Sequence, residues 1–162
     1  MTTKKNNSFY VTTSIAYANA KPHLGFAMEL IQADALARYH AGTGEQAYFL
    51  TGTDEHGQKL QEASKKAGKP TQQFVDELSG EFRNLTKILN ISNNDFVRTT
   101  DPAHKKAAQK LWLACKNDIY KSKYEGMYCV GHEAFLKDSD LVDGVCPDHK
   151  TKPQKMELES YF

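Results

Sequence analysis

The fold turns on "FYVTTSIAYANAKPHLGFAMELIQAD", Phe9 to Asp34. Its opening, "FYVTTSIA" (Phe9–Ala16), is β-branched and aromatic, the composition of a buried strand. Polar "YANAKP" follows, and from His23 to about His40 the pattern becomes helical. Leu24, Ala27, Met28, Ile31 and Ala35 recur at spacings of three and four, so they share one face, the expected packing face. "AGTGE" then stops the helix with two glycines. Strand, short loop and helix in that order predict the first unit of a parallel sheet. The helix mouth should then lie at the carboxyl edge of the strands.

Downstream, "QAYFL" reads as a second strand running into "TGTDEHG". Two helices follow. "QKLQEASKKAG" closes on Gly68, and "TQQFVDELSGEFRNLTKILN" carries Phe74, Leu78, Phe82, Leu85 and Leu89 on one stripe. "DFVRTT" is a short strand, and Asp101–Pro102 forms an N-cap and first-turn proline. They open a helix through Leu111, Trp112 and Cys115, the last two expected in the core. Strands alternating with helices predict an α/β fold with a parallel sheet. From Ile119 the chain is turn-rich, with short strand-like pieces and no long helix. The boundary is therefore set there, giving one domain over residues 1–118 and another over 119–162. Residues 1–8 are expected to be a disordered lead-in.

With 162 residues, 40% hydrophobic and 25% charged, the chain can bury a real core. Its net charge of +1 lacks the basic excess of a dedicated nucleic-acid binder, though a partner could still touch part of the surface. No window of eighteen apolar residues exists to span a membrane. Cys115, Cys129 and Cys146 are odd in number and follow no secretory leader, so a reducing, cytoplasmic compartment is expected. His40 and His104 are expected to face solvent, and Lys116, Lys121 and Lys123 to form a solvated surface.

Three constellations carry chemistry. His23 stands at the helix mouth, two residues before Gly25. Helix N–H groups favour anions there, and an imidazole can donate to a phosphoryl oxygen as charge builds in a transition state. The same residue could simply cap the helix, and local sequence leaves both readings open. "TGTDEHG" (Thr51–Gly57) puts two acids and a histidine at the next strand end, where one carboxylate could hold an ammonium group. A polar turn would look similar. Third, Cys129-x2-His132 and Cys146-x2-His149 each place a soft-ligand pair on a tight turn. Four such ligands suit tetrahedral Zn²⁺ and close its coordination shell, as in a structural site. Two buried thiols beside surface histidines are the alternative.

Together these segments resemble the methionyl-tRNA synthetases, a family of class I aminoacyl-tRNA synthetases. The resemblance rests on "FYVTTSIAYANAKPHLG", "FLTGTDEHG", "DFVRTTDPAHKK" and "YEGMYCVGHEAF…GVCPDHK", in that order, and covers Phe9 to the C-terminus. "TGTDEHG" with "YANAKPHLG" points to methionine rather than cysteine, leucine, isoleucine or valine. The resemblance implies the first half of a Rossmann-like parallel sheet, followed by the start of an insertion bearing a zinc knuckle. It implies ATP-dependent activation of methionine to methionyl-adenylate, with Mg²⁺, and transfer to tRNA(Met). It assigns His23 as catalytic, with His23, Gly25 and position 26 in the ATP-binding signature. Ser14, Ile15 and Tyr17 are implied to line the methionine pocket, with Asp54 on the substrate ammonium group. Cys129, His132, Cys146 and His149 are implied to hold one structural Zn²⁺.

Three departures stand out. The family signature is H-x-G-H, and here its last position is Phe26, which cannot donate a hydrogen bond. Where His132 stands, the family commonly shows cysteine, although imidazole is a competent ligand. Finally, the resemblance implies a second Rossmann half, a K-M-S-K-S loop and an anticodon-binding domain, and none occurs in these 162 residues. A chain supplying them is an expected partner, and the chain alone should adenylate poorly. The alternative is a non-catalytic, synthetase-derived zinc module that binds tRNA or a protein.

Overall fold

The computed structural model describes residues 7–161. Residues 1–6 of the expected lead-in lie outside them, but Ser8 already opens a strand, and Asn7 accepts from the Gln46 N–H at 3.0 Å. The elements through residue 108 are β1 (Ser8–Thr12), β2 (Ala16–Tyr17), α1 (Leu24–Gly42), β3 (Gln46–Asp54), α2 (Gln58–Lys66), α3 (Thr71–Ile88) and β4 (Asp95–Arg98). α4 (Pro102–Ala114) follows, then β5 (Lys121–Cys129), β6 (Ala134–Leu136) and β7 (Gln154–Tyr161).

The first sheet is wholly parallel. β3 is its middle strand, since Leu50 pairs with both Thr12 of β1 and Asp95 of β4. Thr53 pairs with both Ala16 of β2 and Arg98 of β4, so β2 continues β1 along the same edge. The expected continuous strand Phe9–Ala16 is thus broken. Thr12 faces Leu50 and Ala16 faces Thr53, so three residues (13–15) span a gap that two (51, 52) span on β3. The extra residue is a bulge, rare in parallel pairs.

Phe49 of β3, Phe96 of β4, Phe82 of α3 and Phe26, Leu30, Ala33 and Ala37 of α1 form one buried cluster on one sheet face. Leu30 and Phe49 are fully buried. Burying each such side chain contributes about 1.5–3 kcal/mol. A second cluster joins Ala18, Leu60, Val75 and Leu78.

The expected packing face of α1 is not the one used. Leu24, Met28 and Ile31 are 85%, 58% and 51% exposed. α1 is apolar around most of its circumference, so periodicity alone could not orient it. The side that meets the sheet is the one where Phe26 reaches Phe49 and Phe82. On the opposite sheet face Tyr10 and Tyr48, paired in register, stay exposed, their rings 5.9 Å apart.

α4 likewise departs from expectation. It has no buried residue, Trp112 is 47% exposed, and Cys115 is exposed. Leu111, Trp112 and Leu113 are consecutive, so they point about 100° apart and make no stripe. His40 does not simply face solvent: it stacks on Phe9 at 3.5 Å, and its Nδ1 lies 2.9 Å from Glu45 Oε2. His104 is half-buried.

The chain divides into two compact units, one through Ala108 and one from Gln109. The division falls within α4, earlier than the expected boundary at Ile119. In the second unit β5 pairs antiparallel with both β6 and β7. β5 and β7 are longer than the expected short pieces, and Lys121–Glu159 and Lys123–Glu157 ion pairs cross between them.

Candidate active site and candidate metal centre

β2 and β3 end side by side, with Tyr17 facing Asp54 in register. A parallel sheet brings such strand ends, and the helix starts beyond them, to one edge. A cleft of about 360 Å³ opens there, and its lining includes Ser14, Ile15, Tyr17, His23, Gly25 and Phe26, all singled out from the sequence, together with Glu29 and Phe82. Phe26 is a wall: it is 6% exposed, and its ring meets that of Phe82 edge-on at 5.0 Å.

His23 is the N-cap of α1, and its Nδ1 accepts from the Gly25 N–H at 3.1 Å. The two readings of this residue are therefore compatible. Capping occupies Nδ1 as an acceptor, so the ring proton sits on Nε2, which is left as a donor on an exposed side chain.

The bulge that exposes Ser14 and Ile15 is held by Glu29 of α1, which sequence reasoning missed. Glu29 Oε1 accepts from the Ser14 N–H at 2.7 Å, and both carboxylate oxygens lie within 2.9 Å of Ser14 Oγ. Nothing in the spacing of Ser14 and Glu29, fifteen residues apart, signals this contact.

Of the two acids in "TGTDEHG", Glu55 is committed to the fold. Arg98, also missed, donates Nε to Oε1 at 2.7 Å and an Nη to Oε2 at 2.8 Å. Thr53 and Thr100 hydroxyls donate to the same carboxylate. Burial raises the Glu55 pKa, but the hydrogen bonds from Arg98, Thr100 and Thr53 and the Arg98 charge outweigh it and leave it below the usual carboxylate value. Asp54 has weaker company, with the His56 N–H at 3.4 Å and Thr99 Oγ1 at 3.5 Å. It is not among the residues lining the cleft, but it borders Tyr17. Gly57 follows with φ +123°, and a Cβ there would sit 2.2 Å from Tyr17 Oη, so only glycine lets Tyr17 reach this position.

In the second unit the ligand atoms of Cys129, His132, Cys146 and His149 all lie within 4.8 Å of one another. Cys146 Sγ and Cys129 Sγ are 3.6 and 4.0 Å from His149 Nδ1. Around a tetrahedral Zn²⁺ with ordinary bond lengths, ligand atoms stand about 3.3–3.8 Å apart, so two thiols and two imidazoles fit such an ion with little movement. Gly131 makes this possible, because a Cβ there would lie 2.3 Å from His149 Cγ. The His132 backbone N–H, against the opposing effect of burial and with help from Cys146, Gly131 and Thr151, lowers the Cys129 thiol pKa. All three cysteines are free thiols.

A parallel α/β sheet with a histidine-capped helix at its carboxyl edge, followed by a Cys/His cluster, defines the amino-terminal part of a class I aminoacyl-tRNA synthetase. The family described as "tRNA synthetases class I (M)" matches residues 9–159, and the chain belongs to it. Methionine–tRNA ligase of Rhizobium meliloti is 43% identical over 98% of this chain, and that of Thermotoga maritima 44% identical over 95%. This chain covers 32% and 25% of those proteins, so it spans between a quarter and a third of their length. The solved Mycobacterium tuberculosis methionyl-tRNA synthetase in complex with methionyl-adenylate superposes with a TM-score of 0.86 at 41% identity, over 96% of this chain and 32% of that one. An Agrobacterium radiobacter LeuRS, at 20% identity and TM-score 0.75, shares the fold. Among the described residues, no helix is long and apolar enough to cross a membrane.

Proposed function

We propose that this chain forms the methionine- and ATP-binding portion of a cytoplasmic methionine–tRNA ligase, which activates methionine with ATP and Mg²⁺ and transfers it to tRNA(Met). The observation carrying this is the single cleft that unites Ser14, Ile15 and Tyr17 with His23 and Gly25, in a chain 41% identical to a synthetase solved with methionyl-adenylate. In this reading methionine lies against Ser14, Ile15 and Tyr17. Its ammonium group is held by Asp54, the acid of the pair that Arg98 leaves available. His23 donates from Nε2 to phosphate oxygens as the methionine carboxylate attacks the α-phosphorus in line, breaking its bond to the bridging oxygen so that pyrophosphate leaves opposite. That stabilises charge that develops only in the transition state. Bound Mg²⁺ would neutralise phosphate charge. Phe26 supplies shape and no hydrogen bond, which forgoes about 1.5–3 kcal/mol of charge-assisted bonding relative to a histidine donor.

Cys129, His132, Cys146 and His149 would hold one structural Zn²⁺ in a knuckle belonging to an insertion that begins near Ile119. Methionine-dependent ATP–pyrophosphate exchange tests the catalytic reading. A chain extended to the relatives' full length should exchange, and His23→Ala should slow it ~10- to 100-fold. The 162 residues alone should show little exchange. Absence of exchange in the extended chain would instead favour the second reading, a non-catalytic module binding tRNA or a protein, which Phe26 favours because it removes a donor from the signature.

A further inference from the structure

The metal cluster has a neighbour that the donor set does not include. Asp148 Oδ2 lies 3.2 Å from Nε2 of His132. We propose that Asp148 is a positioning residue for His132, fixing its tautomer and ring direction so that Nδ1 faces the metal. This rests on reading the four Cys and His residues as one metal site. A neutral imidazole carries one N–H, and a carboxylate at Nε2 keeps the proton there and leaves the Nδ1 lone pair for a cation.

His132 is the ligand with most need of such a partner. Cys129 and Cys146 are buried, which limits where their sulfur atoms can go. His149 is pinned where Gly131 makes room for its ring, and its backbone N–H points at Cys146 Sγ at 3.5 Å. His132 is exposed, touching His149 edge-on at 4.5 Å, so without Asp148 little prevents its ring from turning. Asp148 can serve because the turn from Cys146 to His149 carries its carboxylate beside the cluster. Its own side chain is 72% exposed, so the pair adds little to stability by itself. A thiol at position 132 has no tautomer to fix and would gain nothing from this carboxylate.

Zn²⁺ affinity by chelator competition and the visible spectrum of the Co²⁺-loaded 162-residue chain test this. Asp148→Ala should weaken Zn²⁺ binding ~10- to 100-fold and alter the Co²⁺ bands. Asp148→Asn, which keeps an acceptor oxygen in place, should recover most of both. In a His132→Cys background, Asp148→Ala should have no effect. The proposal is overturned if Asp148→Ala binds Zn²⁺ within twofold of the parent with an unchanged Co²⁺ spectrum. It is equally overturned if Asp148→Asn is as damaging as Asp148→Ala, which would make Asp148 a ligand or a bare charge. A parent chain that binds neither metal overturns the metal-site reading and this inference together, an outcome distinct from the other two.

Discussion

Phe26 is the residue whose meaning changed most. By motif it falls in an ATP-binding signature, yet its ring lies in the core, edge-on to Phe82. Replacing it with alanine should destabilise the first unit by about 3–5 kcal/mol, measured by urea unfolding, because the cavity cannot collapse between two helices and a sheet. Phe26→His should also destabilise, by desolvating an imidazole, even if it adds a donor to the cleft. Glu55 makes a second residue-level prediction. Its folded pKa lies below the ordinary value of 4.5, so its stabilising contribution is complete above about pH 4.5 and fades as pH falls through the folded value. Glu55→Gln should cost about 3 kcal/mol at neutral pH, the low end for a broken buried pair, since Arg98 keeps Asp76. Urea midpoints of the two proteins should converge below pH 4.5; a constant gap down to pH 3 would contradict the assignment.

At the level of elements, α1 shows what could and could not be read from sequence. Its extent and its histidine mouth were legible, because a proline, a polar cap and a helical period are local signals. Its orientation was not. Two apolar stripes compete along the helix, and only the positions of Phe49, Phe82 and Phe96, far away in sequence, decide between them. Substitution should reveal the difference: Leu30→Ala should lose about 2–5 kcal/mol. Met28→Gln or Ile31→Gln, on the exposed stripe, should stay within about 0.5 kcal/mol. The same logic explains the candidate site. His23 was legible as a helix mouth beside a strand end, Ser14, Ile15 and Tyr17 were named only through the family resemblance, and the four candidate metal ligands stood out because their spacing is local. Glu29 and Arg98 were missed because their partners are fifteen and 43 residues away, joined only by the fold.

For the molecule as a whole, the two units should respond differently to metal removal. The second has a single three-stranded sheet, few buried apolar residues and a Cys₂His₂ cluster, so a bound Zn²⁺ would supply much of its folding free energy. Chelation should abolish the near-ultraviolet circular dichroism of Trp112, the chain's single tryptophan, which stacks edge-on with Tyr161 at 5.2 Å. The α-helical far-ultraviolet signal, which comes mainly from α1 and α3, should persist. Loss of both signals together would show the units to be cooperative rather than separable. Exposed Tyr10, Tyr48 and the apolar outer stripe of α1 predict concentration-dependent association of the isolated chain, readable by light scattering.

The one-residue surplus between β1 and β2 reaches further than its size suggests. Side chains alternate along a strand, so without it Ile15, not Ala16, would face Thr53 and turn toward the core. The surplus resets that parity. A small methyl goes inward, where Ala16 packs against the Phe49 cluster, and Ser14 and Ile15 are released to the outside. If Ser14 and Ile15 line a methionine pocket as proposed, substrate selectivity on this edge is stored as a phase offset between two strands. Deleting Thr13 should erase the cleft while leaving every side chain named for binding in the sequence.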